Sequence, residues 1–101
     1  MIYYKIVNGY EVTVHGHANY EEEGKDIVCA SVSTAIILTS NLIERFNDLS
    51  LVEIKLDEGD FYLKPKKLND RLKVLIDNLI WTLSELEKQY PDYIKRSDFN
   101  V

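Results

Sequence analysis

Residues 27–43 read IVCASVSTAIILTSNLI, a stretch without charge in a chain of 101 residues that is 29% charged overall. Its serines, threonines and asparagine make it too polar to face lipid on every side, so we expect no membrane span. The stretch instead predicts a buried helix that begins after Asp26 as the N-cap and ends near Phe46. A helix on one face of a small sheet needs only one apolar stripe. We therefore expect a second subunit, in a homodimer, to cover the remaining surface.

Alternating apolar residues precede and follow this helix. The first set lies on both sides of Asn8 and Gly9 and predicts a hairpin with a three-residue loop. In that register Ile6 faces Tyr10, and the apolar side chains share one face of the hairpin. The second set, in residues 52–63, predicts another hairpin that turns at a run of acidic residues.

A long amphipathic helix is the last clear element of the chain. Leucines repeat at three- and four-residue steps from Leu68 to Leu86, and Pro91 stops the helix. Residues 93–101 can add a short final strand. The order ββαββα, with this possible last β, predicts an α+β fold. We expect a two-layer sandwich in which a mostly antiparallel sheet carries both helices on one face.

The composition limits the partners and the compartment. Twelve basic and 17 acidic residues give a net charge of −5, which argues against direct nucleic-acid binding and suits a basic partner. The single cysteine, Cys29, cannot form an internal disulfide, which indicates a reducing compartment and thus the cytoplasm. No secretory signal is visible at the start of the chain. At this length we expect one domain, residues 1–101.

Three features that can carry chemistry lie close together in the sequence. Gly16 and His17 end the second strand, a glutamate-rich loop follows, and Cys29 lies in the first turn of the predicted helix. The unpaired N–H groups of a helix start favour a thiolate, and a histidine can pair with it and later protonate a leaving amine. Backbone amides at Cys29 and Ala30 can donate to an oxyanion. Asp26 can cap the helix or orient the imidazole.

These residues also have plainer interpretations. A lone cysteine in an apolar helix is usually a small buried hydrophobe, and a histidine after a strand is usually a surface residue. Asp26 is a favoured N-cap whatever else it does. A zinc site from His15, His17 and Cys29 is another alternative, although no fourth ligand lies nearby in the sequence. The residue pattern alone leaves these alternatives open.

Residues 16–33, GHANYEEEGKDIVCASVS, resemble the ribosomal-processing cysteine proteases (Prp) of bacteria. The family pattern is Gly-His-Ala, a tyrosine shortly after, a loop glycine, then Asp-Ile-Val-Cys-Ala and a nearby serine. All of these residues stand here at matching spacing. The order of elements and the length also agree, so the resemblance covers essentially the whole chain and implies one protease domain.

The resemblance implies a role for individual residues. Cys29 matches the nucleophile, His17 its base, and Asp26 an acidic residue that supports activity. Residues 18–25 match a flexible segment that closes over the substrate. The positions implied to line or bind the substrate are Gly16, Ala18, Tyr20, Gly24, Ala30 and Ser33.

The family also implies a substrate and partners. Its members are cytoplasmic homodimers that remove the N-terminal extension of a large-subunit ribosomal protein (number twenty-seven), without a metal or cofactor. Ribosomal proteins are basic as a class, which agrees with an acidic enzyme. The alternative is a non-catalytic ribosome-assembly partner that binds a basic ribosomal protein through its acidic surface.

Overall fold

The computed structural model describes residues 1–16, 27–57 and 59–98. Within these ranges the helices and strands follow the chain in this order: β1 (Ile2–Val7), β2 (Glu11–Gly16), α1 (Ile27–Arg45), a short 3-10 helix (Leu49–Leu51), β3 (Val52–Asp57), β4 (Asp60–Pro65), α2 (Asp70–Gln89) and β5 (Ile94–Arg96). The predicted order of elements is confirmed, including the final strand.

The five strands form one sheet in the order β3-β4-β2-β1-β5. Neighbouring strands are antiparallel except β5, which pairs parallel with β1. The fold is therefore α+β with a mostly antiparallel sheet, as predicted. Because β4 returns beside β2 rather than β1, the two hairpins join at the centre of the sheet.

The predicted register of the first hairpin is wrong by two residues. Ile6 faces Val12 rather than Tyr10. Asn8 and Gly9 both take positive φ, at 54° and 80°, so the loop comprises residues 8–10 and β1 continues through residue 7. A shift of two residues keeps every side chain on the same face, which is why the buried face was nevertheless predicted correctly.

Both helices bury one apolar stripe. In α1 the buried residues recur at three- and four-residue steps: Val28, Val32, Ile36, Thr39 and Ile43. In α2 they are Leu72, Ile76, Leu79 and Leu83. The second helix begins at Asp70, after Leu68, because the Asn69 side chain accepts a hydrogen bond from the Leu72 amide at 2.7 Å.

The outer face of α1 retains apolar side chains. Ile37 and Leu38 are 48% and 56% exposed, whereas the opposite stripe packs into the core. With a mean hydropathy of 1.6, α1 is long and apolar enough to cross a membrane by length and composition alone. A core helix of a globular domain has the same length and composition, and the buried stripe of α1 is typical of one.

Polar contacts join the chain after α1 to the start of α2. Asp48 is buried and accepts hydrogen bonds from the Nε and Nη2 atoms of Arg71, both at 3.1 Å, and from Asn69 at 3.4 Å. The Arg71 guanidinium also lies over the Phe46 ring, 5.0 Å from its centroid. We call Asp48, Asn69 and Arg71 the Asp48 cluster. The Arg71 hydrogen bonds hold the pKa of Asp48 below its usual value.

Candidate active site

A cleft of about 290 Å³ lies between the start of α1 and the end of the β3–β4 hairpin. Its floor is apolar and includes Ile2, Val14, Val32, Ile36 and Phe61. Its rim carries polar and backbone groups, from Gly16, Cys29, Ser33, Asp57, Gly59 and Asp60, together with the side chain of Leu56. An apolar floor with a few polar groups around it is typical of a site that binds part of a peptide or a small ligand.

Cys29 forms part of the α1 wall of this cleft. It lies in the first turn of the helix, is half-buried, and packs against the core while also lining the cleft. The first amides of a helix have no partner within it, so their N–H groups concentrate positive potential there. A sulfur in this position is accessible from the cleft and lies beside the positive end of the helix dipole.

Ser33 lies one helical turn after Cys29 and lines the same cleft with an exposed side chain. The spacing of four residues places the two on one face of α1. Ala30, by contrast, is exposed and does not line the cleft. The structure thus brings Ser33 and Cys29 together and leaves the side chain of Ala30 outside.

Gly16 forms the opposite boundary of the cleft at the end of β2. Its φ is +107°, a conformation that residues with a side chain rarely adopt. Its N–H donates to the Gly59 carbonyl at 2.9 Å, and a Cβ built on it would collide with the Met1 carbonyl oxygen. The backbone at Gly16 is therefore held from two sides.

The remaining predicted site residues lie outside the described residues. These are His17, Ala18, Tyr20, Gly24 and Asp26, together with the predicted closing segment 18–25. Their roles stay predictions. The residues that flank them are described: Gly16 lines the cleft and Ile27 begins α1, the helix that carries Cys29.

The geometry contradicts a zinc site that joins His15 to Cys29. Val14 is buried beneath the helices, and side chains alternate along a strand, so the next residue, His15, lies on the other face of the sheet. There its ring packs on Tyr3, with the ring centroids 5.7 Å apart. Within residues 1–16, 27–57 and 59–98, no three His, Cys, Asp or Glu side chains are grouped so that they can hold a metal.

Residues 1–95 match the family model described as Cysteine protease Prp. This chain belongs to the Prp family. It is 31% identical over 97 residues to the ribosomal processing cysteine protease Prp of Bacillus subtilis, a match that covers 90% of this chain and 85% of the relative. The Prp of Staphylococcus aureus strain Mu50 is 27% identical over 88 residues, covering 84% and 82% of the two chains.

Solved Prp structures share this fold. A crystal structure of Prp from S. aureus, with a covalently linked product peptide, superposes with a TM-score of 0.74. The two chains are 24% identical, and the match covers 95% of each. A protein of known structure from Streptococcus mutans also reaches a TM-score of 0.74 at 24% identity, over 95% of this chain and 90% of that one.

Sequence reasoning missed one wall of the Prp cleft. Leu56, Asp57, Gly59 and Asp60 line it from the end of the β3–β4 hairpin, and Asp57 pairs with Asp60 across that hairpin. In the sequence these residues look like an ordinary acidic turn. No local sequence signal distinguishes them, because it is the pairing of β4 with β2 that brings the hairpin end beside Gly16.

Proposed function

We propose that this member of the Prp family is a cysteine endopeptidase that removes the N-terminal extension of a ribosomal-protein precursor. The curated relatives carry the name ribosomal processing cysteine protease. The observation that supports the proposal best is the position of Cys29: it lines a cleft from the first turn of a helix, and Gly16, which directly precedes His17, lines the same cleft.

In the proposed reaction the Cys29 sulfur attacks the carbonyl carbon of the scissile peptide bond. His17 accepts the thiol proton, and the amides of Cys29 and Ala30 donate to the oxyanion that forms. His17 then returns the proton to the leaving amine, and the peptide C–N bond breaks to give a thioester. A water molecule, whose proton His17 accepts, hydrolyses the thioester and releases the extension with a new carboxylate.

The other motif residues support these steps in the proposal. Asp26 caps α1 or orients the His17 imidazole, and Ser33 contacts the substrate within the cleft. Ala18, Tyr20 and Gly24 belong to the segment that closes over the bound peptide.

The proposed substrate is the precursor of large-subunit ribosomal protein twenty-seven. Proteins of the ribosome are basic as a class, and this chain carries a net charge of −5, so their long-range attraction favours encounter. The enzyme acts in the cytoplasm as a single domain per subunit. No step of the proposed reaction needs a metal or cofactor.

A homodimer is part of the same proposal. Ile37 and Leu38 on the outer face of α1 are about half exposed, and a second copy would cover them. Leu38→Lys should shift the molecular mass measured by light scattering from dimer towards monomer. Lys73→Ala, which removes an exposed side chain from α2, is the control and should leave the mass unchanged. A monomeric wild-type protein would contradict this part of the proposal.

The main test is mass spectrometry of the extended precursor after incubation with wild type, Cys29→Ala and Ser31→Ala. Ser31 lies in the same helix but does not line the cleft, so Ser31→Ala is the matched control. We expect one cut with wild type and control and none with Cys29→Ala. Cleavage by Cys29→Ala would disprove the nucleophile.

The alternative function is a ribosome-assembly partner without catalysis, which the acidic charge alone would support. It predicts that wild type and Cys29→Ala both bind the precursor without cutting it. It also predicts that binding weakens as salt is raised, because screening reduces attraction between exposed charges.

A further inference from the structure

Three backbone segments meet at Gly16. The residue ends β2, pairs with Ile2 of β1, and donates its N–H to the Gly59 carbonyl at the end of the β3–β4 hairpin. On the β1 side, the Met1 carbonyl oxygen occupies the space where a Cβ of residue 16 would lie. Main-chain atoms of neighbouring segments therefore hold the backbone of Gly16 from both sides.

The other glycine beside β2 provides a contrast. Gly9 has a similar positive φ, +80°, but a Cβ built there would meet no atom within 4 Å. Glycine is thus needed at Gly9 only for its backbone conformation. At Gly16 it is needed for conformation and for space, and the obstructing atom is backbone rather than a side chain that can move aside.

We propose that Gly16 is a positioning residue for the reaction, which acts by setting the direction in which the chain leaves β2 towards His17. This inference rests on the proposed function, since it assigns Gly16 its effect through the His17–Cys29 pair. The Gly59 carbonyl is the second support of the same backbone, so the β3–β4 hairpin belongs to the scaffold of the site as well as to its wall.

The physical reason is that a side chain at residue 16 must displace either Met1 or residue 16 itself, and each displacement breaks backbone contacts. Moving Met1 disturbs the start of β1, where the Ile2 amide donates to the Tyr93 carbonyl at 2.8 Å. Moving residue 16 breaks its hydrogen bond to Gly59 and displaces the next residue, His17. A displacement of about 1 Å in a reacting group can lower the rate by roughly 100-fold.

The test compares Gly16→Ala with Gly9→Ala in the full chain. Alkylation of Cys29 by iodoacetamide, followed across pH, reports how readily the thiolate forms without any substrate, and both the helix start and pairing with His17 contribute to it. Cleavage of the precursor and the melting temperature are measured on the same samples. Both variants place alanine at positive φ, so Gly9→Ala should melt a few degrees below wild type, and Gly16→Ala should melt lower still because its Cβ also collides with the Met1 carbonyl oxygen.

For Gly16→Ala we expect the midpoint of the alkylation profile to rise towards that of an ordinary thiol, about 8.5. Its kcat/KM should fall by roughly 100-fold. Gly9→Ala should keep the wild-type midpoint and cleavage rate. An unchanged midpoint in Gly16→Ala, or an equal shift in both variants, would overturn the inference.

A second pair of variants applies if Gly16→Ala does not fold. Gly59 has a φ of +78°, which asparagine adopts more readily than alanine. Gly59→Ala should displace the supporting carbonyl and raise the alkylation midpoint, and Gly59→Asn should raise it less. Equal midpoints in Gly59→Ala and wild type would contradict the role of this contact.

Alkylation and cleavage of the wild-type protein distinguish a failure of the proposed function from a failure of the positioning role of Gly16. If wild type alkylates below the ordinary thiol range but leaves the precursor intact, the proposed substrate is wrong and the shift in Gly16→Ala still supports the inference. If wild type shows an ordinary thiol midpoint and no cleavage, the Cys29–His17 mechanism fails, and the positioning role with it.

Discussion

The two ends of α1 have different surroundings. At its start Cys29 borders an open cleft whose other walls are the end of β2 and the β3–β4 hairpin. Beyond its end, the Asp48 cluster joins the chain to α2 by charge-assisted hydrogen bonds around a buried carboxylate. The apolar stripe between them is continuous, from Val28 to Ile43. Burial therefore holds the helix in place along its length, and at the end distant from the cleft the hydrogen bonds of the Asp48 cluster add to it.

The largest expected effect is on activity at the cleft end. Cys29→Ala should lower cleavage by roughly 1000-fold or more, because it removes the proposed nucleophile. The melting temperature should change little, since the side chain is small and half-buried. Calorimetry beside the cleavage assay measures both. A large fall in melting temperature would show that this end also carries stability.

The next largest expected effect is a loss of stability at the Asp48 cluster, beyond the end of α1. Arg71→Ala should lower the melting temperature more than Cys29→Ala does, because it leaves the buried Asp48 carboxylate without its main donor. Cleavage measured well below the melting temperature should stay at the wild-type rate. Lys73→Ala, an exposed change on the same helix, is the control. A loss of cleavage in folded Arg71→Ala would show that the two ends are coupled.

Acid should reduce the stability that the Asp48 cluster provides. The pKa of Asp48 is held down by Arg71, so its contribution to stability is fully present above the ordinary Asp value of about 3.9. That contribution is lost as the pH falls through the lower pKa of the folded state. The melting temperature of wild type should therefore fall as the pH is lowered below about 4. Over this acidic range the melting temperature of Asp48→Asn should fall less steeply than that of wild type. Equal slopes of melting temperature against pH in the two proteins would contradict this source of acid sensitivity.

The smallest expected effect concerns β1, which lies at neither end of α1. The buried Tyr4 hydroxyl donates to Glu87 Oε1 at 2.6 Å, and burial raises the pKa of Tyr4 above its usual value. Tyr4→Phe should cost about 1 kcal/mol and lower the melting temperature by roughly 4–8 °C, with cleavage unchanged. Tyr10→Phe, at a half-buried tyrosine in the first turn, is the control and should melt close to wild type.

Much of the fold follows from local patterns. Alternation predicted both hairpins, and the charge-free stretch and the leucine repeat predicted the two helices. The register of the first hairpin did not follow. Asn8 can adopt positive φ as well as Gly9, and a shift of two residues leaves the same side chains buried, so the pattern could not distinguish the two loops.

The candidate site, like the fold, was predicted from local patterns only in part. The sequence by itself determined the chemistry that is available: one thiol at a helix start, a Gly-His pair after a strand, and a serine one turn beyond the cysteine. These follow from spacing along the chain, which is local information. Only the tertiary structure decided that the β3–β4 hairpin completes the cleft and that Met1 and Gly59 fix the backbone at Gly16. Those contacts depend on β4 pairing with β2, and strand order is set by the packing of the whole sheet rather than by any one segment.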